Sequence, residues 1–311
     1  GEWIVPGGVR TPLSKEKCEM ILKETPEALK IVLKTLEEFR NRIDRFREEI
    51  ENFGNFPTYY LGLVSKDGLL EHYDGFIRVV GPKGEIVADK LDPKKYFEYI
   101  GEAVEPWSYM KFPYYKPVGY PMGAYRVGPL ARLNIVSKCG TPLADNELRE
   151  YKKFGENGVV GSTFLYHYAR LIEILYSIEK VKEILENPKV LDEIVEAKSY
   201  TCRSEGVGVA EAPRGTLIHH YKVDRDGKIT WANLIIATEN NNLAFNMAIT
   251  QVAKRYVRGK CLTEGMLNRV EAVIRAFDPC LSCATHAWGK MPLTIHLYDY
   301  RGREVDRLVQ D

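Results

Sequence analysis

The sequence lacks an excess of charge of either sign and any long apolar run. Its 311 residues include 44 lysines and arginines and 43 aspartates and glutamates, so the net charge is +1. That balance gives no electrostatic footprint for nucleic acid or for an anionic membrane surface. No stretch approaches the roughly 20 apolar residues that a membrane span requires, and no basic region followed by an apolar run indicates a signal peptide. We therefore expect a cytoplasmic protein with no nucleic-acid partner and no membrane span.

Cysteine is also scarce. Six are present, and only Cys280 and Cys283 are close in sequence. In a chain of this size without a secretory signal, metal binding or redox chemistry explains such a pair better than a disulfide framework does. The first residue is Gly1 rather than methionine, which predicts a processed or truncated chain. At roughly 150 residues per domain, the length allows two domains or one large one.

Apolar periodicity predicts a long helix near the N-terminus. Thr25 is the expected cap, Pro26 fits the first turn, and Gly54 is the expected stop. Two rows of apolar residues recur every seven positions and form one stripe: Leu29, Leu36, Ile43 and Ile50, beside Val32, Phe39, Phe46 and Phe53. Such a stripe is typical of a core helix in a bundle. Further helices are predicted over residues 163–185, 243–257 and 266–277.

Short β-rich runs around turn signals predict three hairpins. They pair residues 76–80 with 85–88, 216–223 with 229–236, and 293–298 with 304–308. Residues 107–133 are rich in aromatics, proline and glycine, which predicts a long irregular segment with a functional or partner-binding role. The expected fold is mainly α (α+β), with a long-helix bundle core and small peripheral antiparallel β hairpins.

The densest cluster of chemistry-bearing residues lies at 278–286, where Asp278, Cys280, Cys283 and His286 fall within nine positions. Two thiolates three apart on a turn can bind one metal together, and soft thiolates suit zinc, nickel, iron or iron–sulfur centres. A structural zinc site would need a second pair, which this sequence lacks. A thioredoxin-type pair would follow a strand and open a helix, whereas this pair is expected after a helix and before a strand. Metal binding, redox chemistry and inert thiols all stay open on spacing alone.

A second cluster occupies residues 205–215, where small residues allow close backbone approach. Arg214 lies between Pro213 and Gly215 and is expected on a stiff turn. A guanidinium held in this way is a good partner for an anion or for developing charge. The competing interpretation is a glycine-rich loop with a surface arginine in an ordinary salt bridge. The pattern is not a dinucleotide-binding fingerprint, because no strand–turn–helix crossover surrounds it.

Other polar residues carry weaker signals. Residues 239–242, Glu-Asn-Asn-Asn, are expected to cap a helix or to line a polar pocket. His219 and His220 are adjacent on a predicted strand, so they point to opposite faces and cannot chelate one metal together. The isolated histidines are expected to be ordinary core or surface residues.

Together the two clusters are more specific than either alone. Asp-Pro-Cys-x-x-Cys-x-x-His at 278–286, preceded by Glu-Ala-Pro-Arg-Gly at 211–215, resembles the large catalytic subunit of nickel–iron hydrogenases. Further stretches resemble the family's Pro-Gly-Gly turn and its soluble, cofactor-coupled classes: residues 5–9, 125–132, 216–221 and 237–241. Val5 stands where the family often has histidine. The resemblance covers nearly the whole of residues 1–311 and implies a single large-subunit-like domain.

The resemblance implies reversible heterolytic cleavage of H2. Cys280 matches a terminal nickel ligand, and Cys283 matches a thiolate that bridges nickel and iron. Arg214 matches an arginine above the open metal position, and Asp278 matches a carboxylate that supports that arginine. His286 matches a ligand of a magnesium site. The implied iron carries cyanide and carbonyl ligands, and the implied partners are a small subunit with an iron–sulfur cluster and maturation proteins, namely a nickel chaperone and a C-terminal endopeptidase.

Two departures from the family pattern bear on activity. The family's other Cys-x-x-Cys pair, its proton-relay glutamate and an upstream magnesium ligand are not in this sequence, so we expect no hydrogenase activity from this chain alone. Residues 287–311 follow the position at which the family's endopeptidase cuts, and they resemble a maturation tail. Their presence predicts an immature form, in which the tail holds the cysteine pair away from the closed site until metal arrives.

Three alternatives remain at this point. A relative within respiratory complex I has lost its metal ligands, but Cys280, Cys283 and Arg214 would have no role there. The chain could instead be an assembly intermediate that docks maturation chaperones, or a scaffold with a structural metal. The electron acceptor stays open among NAD(P), a deazaflavin, ferredoxin, sulfur and a heterodisulfide.

Overall fold

The structure is a computed structural model that describes residues 3–5, 7–197, 203–285 and 293–310. His286 and the whole segment that links it to the last hairpin, residues 287–292, lie outside these residues. None of the described helices is both long enough and apolar enough to cross a lipid bilayer.

Helices and strands alternate irregularly along the described chain. The α-helices are α1 (Lys15–Ile43), α2 (Arg47–Asn52), α3 (Pro129–Asn134), α4 (Pro142–Lys152), α5 (Tyr166–Leu185), α6 (Ala237–Asn240), α7 (Asn242–Tyr256), α8 (Glu264–Phe277) and α9 (Leu281–Thr285). The strands are β1 (Ile4–Val5), β2 (Gly8–Val9), β3 (Tyr59–Val64), β4 (Phe76–Val80), β5 (Ile86–Leu91), β6 (Ile100–Ala103), β7 (Phe112–Tyr115), β8 (Tyr125–Arg126), β9 (Glu205–Ala212), β10 (Gly215–Val223), β11 (Ile229–Ile235), β12 (Leu293–Tyr298) and β13 (Glu304–Gln310).

The first helix begins earlier than its sequence predicts. Ser14 is the N-cap, and its hydroxyl accepts a hydrogen bond from the Lys17 amide at 3.3 Å. The prediction that Thr25 caps the helix is therefore wrong, and Pro26 lies inside α1. A proline removes one helical hydrogen bond, but the apolar stripe continues on both sides of it and packs against α5. A 3₁₀ turn separates α1 from α2, and the predicted stop at Gly54 is confirmed, with φ of +55°.

The main apolar core lies between α1, α3, α4 and α5. Leu36 of α1, Leu130 of α3, Tyr151 of α4 and Tyr168 of α5 are all buried in it. Residues from α7 and α8 extend the same cluster, including Val252 and Val273. The core therefore packs against α8, whose C-terminal end leads into the Cys280–Cys283 segment.

The strands form small sheets around this core. One sheet has the order β5-β4-β3-β8, in which β3 and β4 are antiparallel and β3 and β8 are parallel. Another has the order β11-β10-β9, and the pairs β6–β7, β12–β13 and β1–β2 stand separately. The three predicted hairpins are confirmed, and the fold is α+β with small sheets. The segment at 107–133 is irregular over most of its length, as predicted, but it also contains β7, β8 and the start of α3, and its aromatic residues pack into the core.

Candidate metal centre

The turn between β9 and β10 carries Arg214. Ala212 pairs with Gly215, so Pro213 and Arg214 form a two-residue hairpin loop. Gly215 has φ of +142°, and a Cβ atom there would lie 2.1 Å from the Val127 side chain, which excludes other residues. The expected stiff turn is therefore present. The glycine-rich loop of the competing interpretation is wrong, because Glu205–Ala212 form strand β9, whose small residues pair with β10, but the ion pair that it assigned to Arg214 is present.

Asp278 ends α8 and meets Arg214 across 64 residues of sequence. Its backbone is left-handed, with φ of +53° and ψ of +54°. The Arg214 Nε donates to the Asp278 carbonyl at 2.6 Å, and Nη2 lies 3.4 Å from the carboxylate. The two side chains are 36% and 46% exposed, so the pair lies at an open surface of the described chain. An arginine that is held by a carbonyl and a carboxylate keeps its remaining N–H groups free for a ligand.

Cys280 and Cys283 follow two and five residues later. Their sulfur atoms are joined as a disulfide, and their Cα atoms are 5.4 Å apart. The pair was expected to lie directly before a strand. It does not, because Leu281–Thr285 form the short helix α9. The Cys280 amide donates to the Thr238 hydroxyl at 3.0 Å, which ties the first cysteine to α6. Thr238 was not singled out from the sequence, where no local signal relates it to residue 280.

The donor set at this position fits half of a thiolate-bound metal site. Once reduced, the two cysteines present two thiolates at one place, and thiolate is the ligand that soft metals prefer. Within the described residues, no group of three or more histidine, cysteine, aspartate or glutamate side chains could complete the coordination. The predicted magnesium ligand, His286, lies outside the described residues.

The polar run at 239–242 lies inside the fold, with all four side chains buried. Of the two interpretations left open, the helix cap applies to Glu239, whose carboxylate accepts from the Ile236 amide at the start of α6, and to Asn241, which is the N-cap residue of α7. Asn240 donates to the Thr216 carbonyl at 2.7 Å, and the Asn241 side chain accepts from the Val127 amide at 2.9 Å. These asparagines join α6 to β10 and to the segment before α3. They therefore support the Arg214 turn from the buried side.

Glu239 is also the one residue of this run with a side-chain oxygen that accepts no hydrogen bond among the described residues, and the Lys111 Nζ lies 3.9 Å from that oxygen. Its other carboxylate oxygen makes the contact to the Ile236 amide, at 3.2 Å. Burial raises the pKa of Glu239 to about 7, against the opposing effects of that amide and of the Lys111 charge, while the charge of Glu102 raises it further. A carboxyl group that changes charge near neutral pH thus lies next to Thr238.

The described histidines are ordinary core or surface residues, as predicted. His220 is buried between Tyr96, at 3.0 Å, and Glu205, at 2.8 Å, while His219 bonds to Tyr221. His167 is closer to the candidate site than its sequence position suggests. Burial lowers its pKa, the Arg170 charge lowers it further, and the charge of Asp278 acts in the opposite direction.

Comparisons with known proteins agree on one family. The family model described as nickel-dependent hydrogenase matches residues 83–286. The beta subunit of the NAD-reducing hydrogenase HoxS from Cupriavidus necator is 39% identical over 97% of this chain and 64% of the relative. From Methanothermobacter thermautotrophicus, an F420-non-reducing hydrogenase subunit is 41% identical, with the same coverage of both chains.

A solved structure agrees as well. The crystal structure of an NAD+-reducing [NiFe]-hydrogenase in the H2-reduced state superposes with a TM-score of 0.87 at 42% identity, and the match covers 91% of this chain and 63% of that one. The chain thus spans just under two thirds of the length of these relatives.

Proposed function

This chain belongs to the nickel-dependent hydrogenase family, and from that premise we propose that it forms part of the catalytic large subunit of a nickel–iron hydrogenase. The proposed reaction is the reversible heterolytic cleavage of H2 into protons and electrons. One observation carries the proposal: the Arg214–Asp278 pair is held two residues from a cysteine pair whose sulfur atoms meet.

In this proposal Cys280 and Cys283 hold the metals as thiolates. Once the disulfide is reduced, Cys280 would be a terminal ligand of nickel, and Cys283 would be shared between nickel and an iron that carries cyanide and carbonyl ligands. When bound, the two metals supply the Lewis-acidic centre at which H2 is polarised. We also propose His286 as a magnesium ligand. Since residues 1–311 contain one Cys-x-x-Cys pair, we expect no turnover from this chain alone.

Arg214 contributes a permanent positive charge rather than a base, because a guanidinium does not give up its proton in proteins. The Asp278 carbonyl and carboxylate fix the orientation of that charge. A preorganised charge near the reacting centre stabilises developing negative charge without reorganisation at the moment of reaction. The role of Asp278 is to orient Arg214, in the way that outer groups commonly orient the groups of a metal site.

The remaining parts of the proposal concern architecture and partners. The packing of α1, α3, α4 and α5 supports a helix-bundle core. The relatives are named as subunits, which supports a partner small subunit whose iron–sulfur cluster accepts the electrons. A nickel chaperone and an endopeptidase would act before that assembly is active.

We further propose that residues 287–311 are a maturation tail. The family model ends at residue 286, and β12 and β13 form a separate hairpin beyond it. That hairpin is anchored to the segment before α8, because the Asp306 carboxylate accepts from the Leu262 amide at 2.6 Å. Intact-mass measurement of the protein before and after nickel insertion tests this part, and a mature form that keeps residues 287–311 would contradict it.

Metal analysis of the protein in its natural assembly tests the proposed function. We expect nickel and iron in the wild type, loss of nickel in Cys280→Ser and in Cys283→Ser, and unchanged nickel in the control Cys261→Ser, since Cys261 is an exposed free cysteine outside the site. H2-dependent reduction of an artificial acceptor should follow the nickel content. Zinc in place of nickel would support a scaffold role, and absence of metal from the mature assembly would support a non-catalytic relative.

A further inference from the structure

Arg132, in α3, is a buried arginine whose five N–H groups are all hydrogen-bonded. Its Nε and Nη2 donate to the two carboxylate oxygens of Glu173 at 2.6 and 2.7 Å. Nη1 donates to Glu211 at 2.8 Å. The other two bonds run to main-chain carbonyls, from Nη1 to Ala212 at 3.0 Å and from Nη2 to Pro213 at 3.1 Å. A guanidinium has five N–H donors in a rigid plane, so this side chain has no freedom left.

The two carbonyls that Arg132 binds belong to the residues immediately before Arg214. The next carbonyl, that of Arg214 itself, accepts from the Asn241 side chain at 3.4 Å. The Arg214 carbonyl oxygen also lies close to Gly128, where a Cβ atom would be 2.7 Å from that oxygen. Three successive carbonyls of the turn are therefore bound from the protein interior, and the Arg214 side chain extends from the turn to Asp278.

The groups that hold Arg132 are themselves fixed. The second oxygen of Glu211 accepts from the Leu63 amide at 2.9 Å and from the Thr216 hydroxyl at 2.7 Å. Glu173 lies on α5, one turn after Arg170, which donates to the Ala276 carbonyl at 2.6 Å, near the end of α8. One helix thus supports both the turn that presents Arg214 and the helix end that presents Asp278.

Stability alone does not explain such a cluster, because apolar residues of similar volume often replace buried ion pairs at no loss of stability. What apolar residues cannot do is bind the carbonyls of Ala212 and Pro213. The hydrogen bonds from Arg132 to these two carbonyls therefore indicate that its role is to fix the position of the Arg214 turn.

We propose that Arg132 is a positioning residue for Arg214, acting through the Ala212 and Pro213 carbonyls, with Glu173 and Glu211 as its anchors. The inference rests on the proposed function, in which Arg214 faces the metals. Lysine at position 132 would keep the charge, but its three donors radiate from one atom and cannot match five planar contacts.

A double-mutant cycle in the protein's natural assembly tests the proposal. Arg132→Lys should lower H2-dependent turnover by about 10- to 100-fold, as is typical when the outer support of a site is removed, with nickel content unchanged. In an Arg214→Lys background the same substitution should lower turnover by less than about 3-fold, because residues that act through one another are not additive. Arg78→Lys is the matched control, since the Arg78 side chain is only 11% exposed and donates to the Asp89 carboxylate and to the Ile135 carbonyl, away from the turn.

Hydrogen exchange supplies a readout that does not depend on turnover. In Arg132→Lys the amides of residues 212 and 214–216 should exchange at least about 10-fold faster, while the turn at residues 224–228 keeps its rate, as both turns should in Arg78→Lys. If exchange in Arg132→Lys equals that of the wild type, or speeds up alike at both turns, the proposal is overturned. Full additivity with Arg214→Lys also overturns it.

If Arg132→Lys fails to assemble, Glu173→Gln is judged by the same criteria, since it weakens one anchor and leaves all five donors of Arg132 in place. Failure of both variants beside a normal Arg78→Lys would show a folding role and would also reject the proposal. A wild-type protein without nickel would refute the proposed function, but the exchange measurement would still decide whether Arg132 holds the Arg214 turn.

Discussion

Arg214 and Asp278 are joined by a 2.6 Å hydrogen bond from the Arg214 Nε to the main-chain carbonyl of Asp278. The bond links the turn after β9 to the end of α8, two segments 64 residues apart in sequence. The carboxylate of Asp278 adds a second, longer contact at 3.4 Å. Because the main contact is to the backbone, substituting Asp278 removes only the carboxylate contact, whereas substituting Arg214 removes both contacts.

Replacing Arg214 tests the role of its charge. Arg214→Lys keeps a positive charge but cannot reproduce the planar donors that reach both the carbonyl and the carboxylate of Asp278. We expect turnover to fall by about 100-fold, comparable to the loss of one preorganised donor in other enzymes, with nickel content retained. Arg225→Lys, in the exposed turn before β11, should leave both unchanged. Loss of nickel in Arg214→Lys would instead indicate a role in assembling the site.

Asp278 combines a functional side chain with a strained backbone. Its left-handed conformation costs a non-glycine residue about 1 kcal/mol, so Asp278→Gly should raise the free energy of unfolding by about that amount while lowering turnover. Asp278→Asn tolerates the same conformation and removes only the charge, so it should lower turnover at unchanged stability. Urea unfolding and a turnover assay on both variants separate the two effects. A Gly variant less stable than the Asn variant would contradict this account of the backbone.

Glu239 should make stability depend on pH between about 4.5 and about 7. Its pKa is raised to about 7 in the folded chain, so in that range the folded state binds more protons than the unfolded state. Stability should therefore fall as pH rises through this window, by up to about 3 kcal/mol in total. The charges that face this carboxyl group are those of Lys111, which favours ionisation, and Glu102, which opposes it.

The Glu239→Gln variant isolates that dependence. Glutamine can still accept from the Ile236 amide, so urea unfolding from pH 5 to pH 8 should show a flatter profile and a gain in stability at pH 8. Glu193→Gln, at an exposed position, should keep the wild-type profile. An unchanged slope in Glu239→Gln would show that the carboxyl group is already charged in the folded chain at pH 5.

The start of α1 can be tested by its cap. Ser14→Ala should lower the free energy of unfolding by about 1 kcal/mol, because the Lys17 amide loses its acceptor. Ser14→Asn retains an acceptor at the cap and should lose much less. Equal losses in the two variants, measured by urea unfolding, would show that the cap does not set the stability of this helix.

Much of the secondary structure followed from the sequence because its signals are local. The turn Asp-Arg-Asp-Gly between β10 and β11 and the stop at Gly54 are set by neighbouring residues. Errors arose where tertiary packing overrode the local signal. Pro26 is tolerated inside α1, and Glu205–Ala212, with few β-forming side chains, becomes a strand through its pairing with β10.

The site divides in the same way. The family and the residue types of the site can be read from the sequence alone, since the motifs around Arg214 and Cys280 are runs of adjacent residues. Their functional roles, and that of His286, stay predictions. The contact of Arg214 with Asp278, that of Thr238 with Cys280, and the hydrogen bonds from Arg132 to the Arg214 turn, which span 80 and 81 residues, depend on the tertiary structure. The physical reason is that such contacts form when distant segments pack around a common core, and no local pattern in either segment specifies its partner.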